Sequence, residues 1–142
     1  MALLLNIETA TDVCSVALGK DGKLLYEKID TQKQNHAKLL TVLIEKMLRE
    51  SNTKLSEIEG VAVSQGPGSY TGLRIGTSVA KGICYALDVP LLAINTLAIL
   101  AQPELPTADH YCPMIDARRM EVYCQLFDKQ LHTVSEIEAK IL

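Results

Sequence analysis

Gly60-Val61-Ala62-Val63-Ser64-Gln65-Gly66-Pro67-Gly68-Ser69-Tyr70-Thr71-Gly72-Leu73-Arg74-Ile75-Gly76 runs from an apolar stretch through a glycine-rich turn into small, periodic residues. The unbroken run from Val61 to Ser64 is the pattern of a strand covered on both faces. Beyond the turn, Thr71 to Leu87 reads as a helix in which Gly72, Gly76 and Ala80 recur every four residues. A strand–turn–helix junction of this kind leaves backbone N–H groups free at the helix start, a setting that favours phosphate or carboxylate. The alternative is a tight turn whose glycines supply unusual backbone angles. The seam behind it has its own two readings. Glycine inside a helix costs about 1 kcal/mol relative to alanine, so a row of small residues marks a close approach, either by a strand of the same domain or by a partner helix.

Upstream of this junction, Ala2 to Ile7, Asp12 to Leu18 and Lys23 to Ile29 read as three strands, the last two joined by the hairpin signal Asp21-Gly22. Glu8-Thr9-Ala10-Thr11 connects the first pair. Asn35 to Glu50 has helical periodicity, with Leu39, Leu40, Leu43, Ile44, Met47 and Leu48 in a broad apolar arc that includes His36. That width fits either deep burial or a second contact surface. Downstream, Val89 to Ile94 reads as a strand and Thr96 as the N-cap of a helix reaching Ala101. The order βββαβαβα predicts a mixed α/β sheet with helices on both faces, the ribonuclease-H-like or actin-like ATPase lobe, whereas a Rossmann domain opens with βαβ.

Pro103 to Pro106 reads as a linker, dividing a lobe at 1–106 from the beginning of a second, similar lobe at 107–142. In the latter, Tyr111 to Ile115 and Glu121 to Phe127 read as strands, and Ser135 as a helix start. A hairpin and part of a helix supply little core of their own.

The 142 residues carry a net charge of -3 at 48% hydrophobic content, so no global basic field draws nucleic acid. Arg118-Arg119 is the adjacent arginine pair, and any RNA contact would be local or shared with a partner. Apolar runs are too short to span a bilayer, and Met1 to Leu5 lacks the charged start of a signal peptide. Cys14, Cys84, Cys112 and Cys124 form no C-x-x-C pair and read as reduced thiols of a cytoplasmic protein.

Gly66-x-Gly68-x-x-x-Gly72 departs from the dinucleotide fingerprint, and neither a Walker A lysine nor a Gly-x-Ser-x-Gly elbow is present. As an anion or nucleotide site the turn would use Gly66, Gly68 and Ser69 with Glu8 and Thr9 of the first hairpin. That set would suit an actin-like ATPase or phosphotransferase, although Glu8 lies in a hairpin without glycine. His36, His110 and His132 have no metal-ligand spacing, so no metal site is assigned, and no catalytic constellation stands out.

Taken together, Ser64 through Gly76 closely resembles the signature of the bacterial TsaB family, formerly called glycoprotease-like and related to the M22 peptidases. Leu5-Asn6-Ile7-Glu8-Thr9-Ala10-Thr11, Cys14-Ser15-Val16-Ala17-Leu18, His36 with Leu39-Leu40, Asn95-Thr96-Leu97 and Ile115 through Tyr123 resemble it too. The resemblance implies an actin-like fold and a non-catalytic scaffold role in installing threonylcarbamoyl on the adenosine beside the tRNA anticodon. It implies pairing with the transferase TsaD, with the ATPase TsaE in the larger complex and tRNA contacted only indirectly. A homodimer is the other assembly it allows. Carried over by motif, the partner interface would use His36, Leu40, Leu43, Met47, Gly72, Ile75, Gly76 and Val79. No cofactor of its own is implied, while ATP or ADP could sit at the partner interface. Family chains continue well past the last hairpin. A metallopeptidase, suggested by the older family label, is the remaining alternative.

Overall fold

Period-two alternation sets one face of a five-stranded sheet with the order β3-β2-β1-β4-β5. In the computed structural model, which describes residues 2–31, 36–104 and 107–141 (without the side chains of 36, 37 and 104), β1 is Leu3–Glu8, β2 Cys14–Lys20 and β3 Lys23–Asp30. They form the expected antiparallel meander, with Asp21 and Gly22 both at positive φ in the tight turn. β4 (Gly60–Gly66) pairs in parallel with β1, making the sheet mixed, and β5 (Leu91–Asn95) lies beyond it. Register brings Leu5 opposite Leu18 and Val61, and Ile7 opposite Val16 and Val63. All six side chains are buried on one face.

Two helices cover that face. α1 (His36–Glu50) buries Leu40, Leu43, Ile44 and Met47 in the same cluster as the strand residues. α2 (Tyr70–Leu87) adds Ala80 and Cys84 and lies beside α1. The Glu50 carboxylate ties the end of α1 to β3, accepting from Lys28 Nζ at 2.5 Å and Tyr26 Oη at 2.7 Å. Hydrogen bonds from Lys28 and then Tyr26 hold Glu50 below the usual carboxylate range. α2 ends where Asp88 takes the left-handed conformation and its N–H bonds to the Cys84 carbonyl.

The chain divides into two compact units, Met1–Gln65 with Ser69–Ala93, and Gly66–Gly68 with Ile94–Leu142. The packing therefore divides before α3 (Thr96–Ala101), not at the expected 106/107 boundary. The reason is α3 itself: Leu97 and Ala101 join Tyr111, Ile115 and Phe127 in a core of their own. Here β6 (His110–Tyr111) pairs with β9 (Phe127–Asp128). β7 (Met114–Arg118), β8 (Glu121–Cys124) and β10 (Glu138–Ile141) form a three-stranded sheet ordered β10-β8-β7. The helix expected from Ser135 is replaced by β10, because the open edge of β8 supplies a ladder for that backbone. Ser135 Oγ instead accepts from the Leu126 N–H at 3.0 Å. The cap of α3 also differs. Asn95, not Thr96, accepts from the Leu97 and Ala98 N–H groups, while Thr96 Oγ1 accepts from Gly66 N–H at 3.2 Å.

Candidate functional site

The junction that opened the sequence becomes a locked corner. β4 ends at Gly66, whose φ of 118° is a region that residues with a Cβ rarely enter. Ser69 N-caps α2, its Oγ accepting from Gly72 N–H at 3.3 Å, and its own N–H donates to the Ala10 carbonyl at 2.6 Å. In the facing hairpin, Glu8 Oε1 accepts from Ala10 N–H at 2.6 Å and from Ser64 Oγ at 2.8 Å. Glu8 thus joins the end of β1, the hairpin and β4.

Thr9 explains the small-residue seam. It is wholly buried, and its Oγ1 donates to the Gly72 carbonyl at 2.7 Å. A Cβ on Gly72 would collide with the Thr9 backbone carbonyl, and one on Gly76 with Thr9 Oγ1. Of the two uses left open by the sequence, the seam is filled from within the chain, by the β1–β2 hairpin. Gly72 and Gly76, expected at a partner interface, are both buried against Thr9.

The other expected interface residues divide the same way. Leu40, Leu43 and Met47 lie inside the core under α1. Ile75 and Val79 are half-buried and pack against that core, as do Leu39 and Leu48. The His36 side chain lies outside the described residues. Among the nucleotide candidates, Glu8 accepts from Ala10 N–H and Ser64 Oγ, Thr9 Oγ1 donates to the Gly72 carbonyl, Ser69 Oγ accepts from Gly72 N–H, and Gly66 N–H donates to Thr96 Oγ1. Gly68 follows in the turn at φ 156°. No group of three His, Cys, Asp or Glu that could hold a metal occurs among the described residues. His132 Nδ1 lies 3.1 Å from Asp128 Oδ2, and His110 stands apart in β6.

One feature escaped the sequence reading. The outward side of α2 exposes Tyr70 by 74% and Tyr85 by 93%, with Arg74, Ser78 and Lys81 between them. The Arg74 guanidinium stacks 5.4 Å from the Tyr70 ring centre, bordering a shallow depression completed by Leu73, Thr77 and Ser78. Helical spacing puts Arg74, Ser78, Lys81 and Tyr85 on one side of α2. The stacking of Tyr70 on Arg74 is set by rotamers, which spacing does not specify.

Three antiparallel strands followed by parallel helix–strand addition define a ribonuclease-H-like, actin-type lobe. A structure described as a candidate N-acetylglucosamine kinase from Porphyromonas gingivalis shares that fold with TM-score 0.51 at 19% identity, over 99% of this chain and 47% of that one. YeaZ from Pseudomonas aeruginosa is nearer, with TM-score 0.87 at 33% identity, over 98% of this chain and 67% of that chain. The family model for TsaD, tRNA N6-adenosine threonylcarbamoyltransferase, matches residues 23–141. The tRNA threonylcarbamoyladenosine biosynthesis protein TsaB of Haemophilus influenzae is 35% identical over 122 residues, 84% of this chain and 51% of that protein. The chain belongs to the TsaB family. It spans about half the length of the curated relatives it matches. No helix among the described residues is long and apolar enough to cross a membrane.

Proposed function

We propose that this chain acts in threonylcarbamoyladenosine modification of tRNA as a non-catalytic scaffold, pairing with a TsaD-type transferase through its helix layer. The observation that carries the reading is the layer itself: α1 and α2 lie side by side on one sheet face of a TsaB-family lobe. Leu40, Leu43, Met47, Gly72 and Gly76 fix that layer from beneath. The surface offered to a partner then comes from half-buried Leu39, Ile75 and Val79 and from Val42, which is 41% exposed. Apolar side chains only partly covered by their own core gain most from a second helical pair. The engagement of Glu8 by Ser64 and Ala10 further favours a structural use of the hairpin over phosphoryl transfer. A TsaE-type ATPase, and ATP or ADP at the partner interface, belong to the same proposal.

The test is co-purification with a tagged TsaD-type transferase from the same source, followed by tRNA modification assays with and without this chain. Pairing is expected, with modification depending on the chain. Val79→Glu and Ile75→Glu should each weaken pairing by tenfold or more, a change of about 1.4 kcal/mol, while the far-UV spectrum of the isolated chain is retained. Absence of pairing overturns the proposal. So does ATP turnover by the chain alone that is lost in Glu8→Ala.

A further inference from the structure

Four free cysteines stand far apart in the sequence, yet the small sheet of the second unit sets two of them on neighbouring lines of chain. Cys124 ends β8, opposite Met114 on β7 and Glu138 on β10. Cys112 lies two residues before Met114, the next same-face position along that line of chain. Cys124 acts electrostatically on the Cys112 thiol, raising it. The pair is asymmetric, Cys112 exposed and Cys124 buried. Lys140 stands opposite Val122, one same-face step from Cys124, with its Nζ held 2.9 Å from Glu138 Oε2. Its positive charge reaches both thiols.

We propose that Cys112 and Cys124 are a modification site, closing to a reversible intramolecular disulfide when the protein meets a peroxide. The exposed Cys112 thiolate attacks one peroxide oxygen, the O–O bond breaks, and the departing hydroxide takes a proton, leaving Cys112 as a sulfenic acid. Cys124 then attacks the Cys112 sulfur and the S–O bond breaks. The departing hydroxide takes the Cys124 proton and leaves as water. Two thiols and one hydrogen peroxide give one disulfide and two waters, the sulfurs losing the two electrons that the peroxide gains.

Charge and burial set the pace. Burial, and then Cys124 itself, hold the Cys112 thiol above its ordinary value, while Lys140 acts against both. Glu138 on β10 and Asp116 on β7 are the carboxylates on the same face. Because the thiolate is the nucleophile, oxidation quickens as pH rises past the ordinary thiol range. Cys14 and Cys84, both buried, are not expected to react in the folded chain.

The experiment treats the whole chain with a small excess of hydrogen peroxide, blocks free thiols, and digests without reduction for mass spectrometry. The expected result is a mass lower by about 2 Da, one cross-linked peptide pair joining Cys112 to Cys124, and full reversal by dithiothreitol. In Cys124→Ser, Cys112 should pass on to a sulfinic acid or an intermolecular disulfide. In Cys112→Ser, Cys124 should stay reduced, a comparison that holds even where the first variant folds poorly. Lys140→Met should slow alkylation of Cys112 about two- to threefold by removing the nearby charge. Loss of the Cys112 thiol in the unsubstituted chain without a link to Cys124 overturns the proposal, as does no oxidation of Cys112 at all.

Discussion

Gly76→Ala tests the account of the seam, because the same substitution should have opposite signs at different points of one helix. Replacing an interior helical glycine by alanine gains up to about 1 kcal/mol of helix propensity. Gly82→Ala should realise that gain, since nothing lies within 4 Å of a Cβ there. At Gly76 the new methyl meets Thr9 Oγ1, which is bonded to the Gly72 carbonyl at 2.7 Å. Thr9 must rotate and strand its buried hydroxyl, at about 1–3 kcal/mol, so Gly76→Ala should lose the propensity gain and destabilise by up to about 2 kcal/mol net. Gly72→Ala should be worse, because its obstacle is the Thr9 backbone carbonyl, which cannot rotate away, and forced overpacking costs about 1–3 kcal/mol or more. Thr9→Ala removes Oγ1 and leaves the Thr9 Cβ 3.5 Å from the Gly76 methyl, an ordinary contact. In that background Gly76→Ala should lose its penalty, a coupling of at least about 1 kcal/mol. Urea unfolding at constant temperature, followed by far-UV circular dichroism, measures each value. Additivity of Thr9→Ala and Gly76→Ala to within about 0.5 kcal/mol would refute the reasoning.

Further expectations concern buried polar groups. Burial, and then the carboxylates of Asp30 and Glu8, push the Cys14 thiol from 9.0 to about 11. The folded value is the higher one, so this stabilisation is complete below pH 9 and is lost as pH rises towards 11. Urea titrations at pH 8 and 10.5 should show the advantage over Cys14→Ala shrinking by up to about 2 kcal/mol at the higher pH. Glu8→Ala leaves the buried Ser64 hydroxyl and Ala10 N–H without their acceptor and should cost about 1–3 kcal/mol in urea unfolding. Glu8→Gln keeps an acceptor oxygen and should cost less than half as much. Asn95→Ala removes the α3 cap and the 2.7 Å bond to Gln125 Oε1. It should lower local stability by about 1–2 kcal/mol, read as faster amide hydrogen exchange confined to 94–142.

The parts legible in the sequence were those that rest on local periodicity. The strand at Val61 to Ser64 and the arc from Leu40 to Met47 are legible because an unbroken apolar run and 100° spacing are properties of adjacent residues. Asp21-Gly22 was equally secure, since the turn demands positive φ at both positions. Failures came where a distant strand competed with a local preference. Ser135 looked like a helix start until the edge of β8 claimed Glu138–Ile141. Thr96 looked like a cap until Asn95 took that role and the Thr96 hydroxyl accepted from the Gly66 N–H, thirty residues away.

Up to Ala101 the order of strands and helices is legible in the sequence, as are the apolar stripe of α1 and membership in a family marked by Ser64 through Gly76. Those depend on short-range steric and hydrophobic patterns carried by consecutive residues. What lies against the glycine seam is a matter of tertiary packing. A row of Gly72, Gly76 and Ala80 says that something comes close, and a hairpin more than sixty positions earlier in the chain is what does. The same holds for Cys112 and Cys124, which no spacing rule relates, and which come near because the β7–β8 register sets Cys124 opposite Met114, two residues past Cys112. Contacts between distant positions are set by chain topology and register, and a one-residue slip would reassign them all.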